Sequence, residues 1–358
     1  MKSGRSLTEL AQEIERQNES KRDFLVNTEC MELLVPEHSS DPEASVAPVL
    51  RFAGNKMEIG EIAHQQIGTY TGIPATYYRK MLGQQPKLLA TNVNTWLDID
   101  PQQRLIRTLD DRARAFLSSK YRPIDNAEIA EMVLPIIGVI DGVKVESCEI
   151  TESRMYIKCV NHRLQKEVVP GDFVQAGIVI SNSEVGLGCV SVEPLIYRLV
   201  CSNGMIVNEA RTRSRHVGRT LTAGDDYAIY QDDTKLADDK AMYLKIRDTV
   251  KSVVDDVRFG HYVDQMRGAK EARLISPDIP NVVEVTAKRY AITKDEGSGV
   301  LDHLIRGGDL SLYGLANAVT RYSQDVKSYD RATELERIGY DVMMMPKQTW
   351  KSINEVRA

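Results

Sequence analysis

Arg211-Thr212-Arg213-Ser214-Arg215-His216 sets three arginines on alternate positions. In an extended segment such residues project to one side, where their guanidinium groups can follow successive phosphates of a nucleic acid. The same pattern suits a solvated strand edge whose charges discourage pairing, and the sequence leaves both readings open. Arg219 extends this cluster. A second basic stretch runs through Arg104, Arg107, Arg112, Arg114 and Lys120 to Arg122, with Tyr121 as an aromatic on which a base can stack. His216 has neither a nucleophile nor a carboxylate close in sequence, so its expected role is phosphate contact and not general base catalysis.

Other polar groups imply no chemistry of their own. The chain has no phosphate-binding loop, no His-Glu-x-x-His and no Gly-x-Ser-x-Gly elbow. Gly186-Leu187-Gly188 begins like a dinucleotide fingerprint, but Ser191 stands where its third glycine belongs, and a hairpin between two strands explains the pair better. The pairs Asp225-Asp226, Asp232-Asp233 and Asp238-Asp239 read as a solvated acidic loop leading into a helix, and Asp98-Ile99-Asp100 as a turn. Five cysteines without a Cys-x-x-Cys pair read as reduced thiols in apolar surroundings. No catalytic residue, metal or cofactor is therefore assigned. Ser181-Asn182-Ser183 and Cys201-Ser202-Asn203-Gly204 each follow an apolar run and are expected to be turns or strand ends. Their recurrence suggests one end of a shared sheet, with Asn182, Ser183, Ser202 and Asn203 as a common turn site.

These residues need elements to hold them. A capping box, Ser6-Leu7-Thr8-Glu9, opens a short amphipathic helix that could detach from the core, and residues 38–47 read as a linker. Pro48 to Phe52 resembles a strand. Glu58 to Leu82 predicts a helix, a break at Gly72-Ile73-Pro74 and a second helix. A DNA-reading helix-turn-helix has this outline, but the small residues do not match a tight turn, so a plain helical hairpin is the expectation. Arg104 to Asn126 predicts two strand-like pieces around a turn at Asp110-Asp111 with one basic face, and Asn126 caps a helix to about Leu134. From Val143 to Val207 the apolar period is two, as in an antiparallel meander. Beyond it, Tyr243, Ile246, Val250, Val253 and Val257 form a heptad-like stripe, and Leu310 to Tyr329 offers a further helix suited to packing on the sheet or on a neighbouring subunit. The fold class is thus α+β: an antiparallel β-meander packed against helices, with a helical C-terminal extension. The divisions are 1–47, N-terminal helix and linker; 48–223, mixed core; and 224–358, mainly helical.

A hydrophobic fraction of 42% and a charged fraction of 27% are those of a soluble globular chain, and no apolar run spans a bilayer. The polar N-terminus lacks a secretory pattern, which implies the cytoplasm. The net charge of −5 means that any polyanion must be held by local positive potential.

Ile73-Pro74-Ala75-Thr76-Tyr77-Tyr78, Ser118 to Asn126, Gly177 to Ser183 with Gly186, Arg198 to Gly204, Arg215-His216-Val217-Gly218 and Tyr313 to Thr320 follow one another along the chain. Together these stretches resemble the phage- and plasmid-related proteins of the domain-of-unknown-function 932 family. The resemblance implies a setting of DNA replication and recombination. Strands followed by helices also resemble, distantly, single-strand annealing proteins, which assemble into rings around a basic groove. The expected function is non-enzymatic binding of single-stranded nucleic acid by a homo-oligomer, without a membrane. Two rivals stand beside it: an enzyme with His216 and Asn203 lining a small pocket, and a host-interaction protein whose arginines grip an acidic partner.

Overall fold

Ser6 opens α1 (Leu7–Ser20) as read: its hydroxyl accepts from the Glu9 N–H while the Glu9 carboxylate accepts from the Ser6 N–H. The helix packs on the core. Leu10 and Ile14 are buried against α5 (Asn126–Val139), and the Arg5 backbone exchanges hydrogen bonds with Cys148. The computed structural model describes residues 1–36, 47–121, 123–188, 190–208, 212–214 and 255–354, with positions 237, 240, 241, 243–248 and 250. The expected linker falls almost entirely outside these residues.

Two sheets follow. The first has six strands: β1 (Arg22–Asn27), β2 (Met31–Leu34), β3 (Val49–Phe52), β4 (Asn55–Ile59), β5 (Gln103–Leu109) and β6 (Arg112–Ser118), in the order β1-β5-β6-β4-β3-β2. The sequence reading missed β1 and β2. Both are short edge strands, and β1 alternates weakly because only one of its residues is buried. Asp110 and Asp111 both take positive φ, 50° and 60°, which matches a two-residue hairpin with the twist of its strands. Between β4 and β6 the chain makes α2 (Glu61–Tyr70), α3 (Ala75–Gln84) and α4 (Pro86–Ile99), whose apolar sides cover this sheet. Asn94 of α4 ties the edge strand β2: its side chain accepts from the Leu33 N–H at 2.7 Å and donates to the Leu33 carbonyl at 3.0 Å.

The second sheet is the meander read from the period of two. Its strands β7 (Val143–Ile150), β8 (Met155–Val169), β9 (Asp172–Asn182), β10 (Val190–Arg198) and β11 (Asn203–Ile206) pair antiparallel in sequence order, and a short β12 (Thr212–Ser214) pairs with β10 beside β11. Ile157, Cys159, Ile178, Ile180 and Val192 pack with α1 and α5. The C-terminal helices α6 (Asp256–Glu271), α7 (Ile279–Arg289), α8 (Lys294–Gly307), α9 (Leu312–Tyr322), α10 (Tyr329–Met343) and α11 (Lys347–Asn354) share the largest core with Val174, Ala176, Ile196 and Met205 of the sheet. They therefore pack on the sheet of their own chain. Within the expected stripe Ile246 and Val250 are buried, whereas Val257 is 80% exposed, so the stripe does not continue into α6; Val253 lies outside the described residues.

One buried ion pair fastens α10 to the meander. Lys158 of β8 and Glu336 of α10 are both wholly buried, with Nζ 2.6 Å from Oε2 and the ammonium over the Tyr329 ring. Burial depresses the Lys158 pKa, and Glu336 opposes that effect. The second Glu336 oxygen has no partner, so the pair is incompletely compensated. Removing one member, by Lys158→Met or Glu336→Leu, should cost about 3–5 kcal/mol in urea unfolding, because it strands a buried charge. The double variant should recover most of that loss; equal losses in the single and double variants would contradict this account.

Candidate nucleic-acid interface

The residues between α2 and α3 set the geometry of the helical pair. The Thr71 N–H bonds to the Ile67 carbonyl, Gly72 takes φ +67°, and the Ile73 N–H returns to the Gly68 carbonyl at 3.0 Å. This is a glycine-terminated helix end, and Pro74 then prevents its continuation. Open space surrounds Gly72, so its backbone angle, not crowding, demands glycine. Gly68 is small for a different reason, since a Cβ there would stand 3.0 Å from the Tyr78 ring. Ile67, Ile73, Tyr78 and Met81 fill the core between the helices and the sheet. Gly68 and Gly72 thus shape the close approach and the turn of a helical pair, as the hairpin reading expects.

The outer face of α3 is basic. Arg79 and Lys80 are exposed, with Lys87 beyond them at the start of α4, and Thr76 and the 47%-exposed Tyr77 lie near the N-terminus of α3. None of the three cations has an ion-pair partner among the described residues. The reason is compositional: from Ile62 to Leu97 the sequence contains no aspartate or glutamate. This acid-free run was the signal available in the sequence, and counting arginines alone passed over it.

The arginines read from sequence are placed differently. Arg107 is 1% exposed and donates to Asp23 at 2.9 Å, Asp125 at 2.7 Å and the Glu184 carbonyl at 3.0 Å, so it is an interior group and not a phosphate ligand. Arg114 pairs with buried Glu184, and Arg112 with Glu152 at 3.0 Å. Arg104 lies over the Tyr70 and Phe116 rings, its guanidinium carbon 4.7 and 4.8 Å from their centroids, without a carboxylate among the described residues. Lys120 is exposed. Tyr121 packs with Ile62, Leu117 and Val185 and donates to the Ser183 carbonyl at 3.1 Å, which commits its ring to the interior. Of the second cluster, only the backbone of Arg213 is described, opposite Ser191 in β12; Arg211, Arg215, His216 and Arg219 lie outside the described residues, as does Arg122. The three Asp pairs lie outside them too.

The shared turn site does not form. Asn182 ends β9 and Asn203 begins β11, yet Asn203 pairs with Arg198, which faces Val174 at the far end of β9. Eight residues separate Val174 from Asn182 along that strand, roughly 26 Å at strand spacing. Successive hairpin connections in a meander alternate ends, so similar turn sequences after consecutive strands are necessarily apart. Asn182 is buried and donates to the Ile124 carbonyl and the Asn126 side chain, both at 2.9 Å. Ser183 accepts from the Leu187 N–H, and Ser202, at φ 52°, stands in the turn before Asn203. Asn203 donates to the Asn317 carbonyl and accepts from Gln324.

Among the described residues no group of three or more His, Cys, Asp or Glu side chains could hold a metal ion, and no helix is long and apolar enough to cross a membrane. Cys148 and Cys159 are buried, and burial pushes the Cys148 thiol up to about 12, which removes it as a thiolate nucleophile at neutral pH; Cys30, in contrast, is exposed.

A buried pair makes the helical unit sensitive to pH. His64 Nδ1 lies 2.9 Å from the Tyr78 hydroxyl, and burial lowers the His64 pKa from 6.5 to about 4. A histidine depressed in the folded state binds its proton more readily when unfolded, so stability is complete above the unfolded value and falls as the pH drops from about 6.5 towards 4. Acidification from pH 7 to 4.5 should cost about 2–3 kcal/mol through this residue. The pH dependence of thermal unfolding should flatten by that amount in His64→Gln; an unchanged profile would remove His64 as its source.

A family model described as Domain of unknown function (DUF932) matches residues 115–338. No curated protein and no solved structure matches the chain.

Proposed function

The chain belongs to the DUF932 family, and for this member we propose a non-enzymatic function in which the helical pair α2–α3 docks on duplex DNA. The helical pair precedes the matched residues, so the reading rests on this chain's own side chains. A single observation supports it: α3 and the start of α4 expose three cations, Arg79, Lys80 and Lys87, without ion-pair partners among the described residues, in a stretch from Ile62 to Leu97 that contains no carboxylate. In a helix-turn-helix the second helix enters the major groove and its first residues meet base edges, a place taken here by Thr76 and Tyr77. A threonine offers both a hydroxyl and a methyl to that groove. Arg79, Lys80 and Lys87 then supply phosphate contacts, which position the duplex without reading sequence. Three such contacts are few, and a second copy of the chain on an adjacent half-site would multiply them, which is the form the proposed homo-oligomer takes.

The single-stranded reading rests on Arg211, Arg213, Arg215 and Arg219. It is supported by β12, which pairs with β10 and carries Arg213 opposite Ser191.

An electrophoretic shift with a short duplex and its separated strand, over a salt series, distinguishes the two. Binding of the duplex should dominate, and the Arg79→Ala, Lys80→Ala, Lys87→Ala variant should reduce the slope of log K against log salt by roughly 2–3. The DNA reading through α3 fails if this folded variant binds as the parent does at every salt concentration. Preferential binding of the single strand, lost in the Arg211→Ala, Arg213→Ala, Arg215→Ala variant, would transfer the function to the edge segment.

A further inference from the structure

A second surface has the opposite charge. Between α1 and α5 runs an open groove of about 720 Å³, with an apolar floor of Leu10, Ala11 and Ile14 from one helix and Ala127, Ala130 and Leu134 from the other. Leu7, 39% exposed, continues the α1 stripe by one turn. Three carboxylates, Glu15, Glu19 and Glu131, line the same groove, and none has an ion-pair partner among the described residues. Among the described residues no lysine or arginine lines it. Pro135 adds an acceptor, because within α5 it has no N–H to give to the Glu131 carbonyl.

From this arrangement we propose that the α1–α5 groove is a docking site for a cationic amphipathic helix of a partner protein. An apolar floor between two helices takes the i, i+3, i+4, i+7 face of a third helix. The rim selects its flanks: lysine or arginine beside that face meets Glu15, Glu19 and Glu131, whereas a nucleic acid or an anionic membrane meets repulsion. The site is independent of α3, on a different sheet and with the opposite charge, so its test is independent of DNA binding.

The test uses the whole protein and two labelled helical peptides with leucine at the inner positions, one with lysine flanks and one with glutamate flanks, read by fluorescence anisotropy. The lysine peptide should bind saturably and the glutamate peptide should not. Replacing Glu15, Glu19 and Glu131 together by Gln should weaken the lysine peptide roughly tenfold, the sum expected of three exposed pairs. Ala11→Trp, at an exposed position and therefore compatible with folding, should fill the groove and abolish binding while leaving the α3 surface intact. The proposal is overturned by equal binding of both peptides, by an absence of saturable binding, or by binding that both variants leave unchanged. Sedimentation of the parent and Ala11→Trp proteins completes the test: a parent dimer that becomes a monomer on filling the groove would make a second copy the occupant and refute the partner helix.

Discussion

The fold depends on a buried charge cluster where the two sheets meet. Arg107 of β5, held by Asp23, Asp125 and the Glu184 carbonyl, forms its centre, and Arg114 of β6 reaches the Glu184 carboxylate from the adjacent strand. Lys21 stands 2.7 Å from Asp125 and 3.6 Å from Glu184, and the Asn126 N–H donates to the remaining Glu184 oxygen at 2.7 Å. Arg107 and Glu184, the two nearly buried charges, are tolerable because each meets several partners, drawn from β1, β6, the start of α5 and the residue before β1. The first sheet, the start of α5 and the loop after β9 can satisfy the cluster in few relative positions. An apolar contact of the same area would hold them together without specifying the angle.

That constraint explains why a basic segment is so poor a guide to a binding surface here. The hairpin β5–β6 is rich in arginine because it supplies one half of an internal electrostatic joint. The exposed positive surface lies where local charge density is modest and opposing charge is missing. A folded chain with net charge −5 acquires a cationic face more readily by omitting acids from one surface than by concentrating bases in one segment.

Much of the architecture was legible because it follows local periodicity. The meander shows in the alternation of Ile157, Cys159, Ile178 and Ile180, the β5–β6 turn in Asp110-Asp111, and α1 in its capping box. What was not legible depends on partners distant in the chain. Nothing near Arg107 predicts that Asp23 and Asp125 will neutralise it, nor does the region around Tyr121 reveal the apolar neighbours that take its ring. The error over Asn182 and Asn203 is of another kind, since the topology already implied by a meander places consecutive turns at opposite ends. The acid-free run and the Gly68 to Gly72 spacing were present in the sequence, but spacing gains meaning only when the packing against Tyr78 shows which small residue lies at the crossing.

The β4–β6 pair is parallel, Glu58 opposite Arg112 and Ile59 opposite Ala113, whereas the other pairings among the described strands are antiparallel. A parallel pair requires a crossover, and here the crossover contains α2, α3, α4 and β5. The helical unit is therefore an excursion that leaves β4 and enters β5, the two strands flanking β6, and β5 carries Arg107 of the electrostatic joint. A load applied to α3 would be shared between both anchors, and a twist of the helices would reach the inter-sheet joint through a single strand. The unit is mechanically in series with the contact between the sheets, so strain at one would register at the other without any lid or hinge.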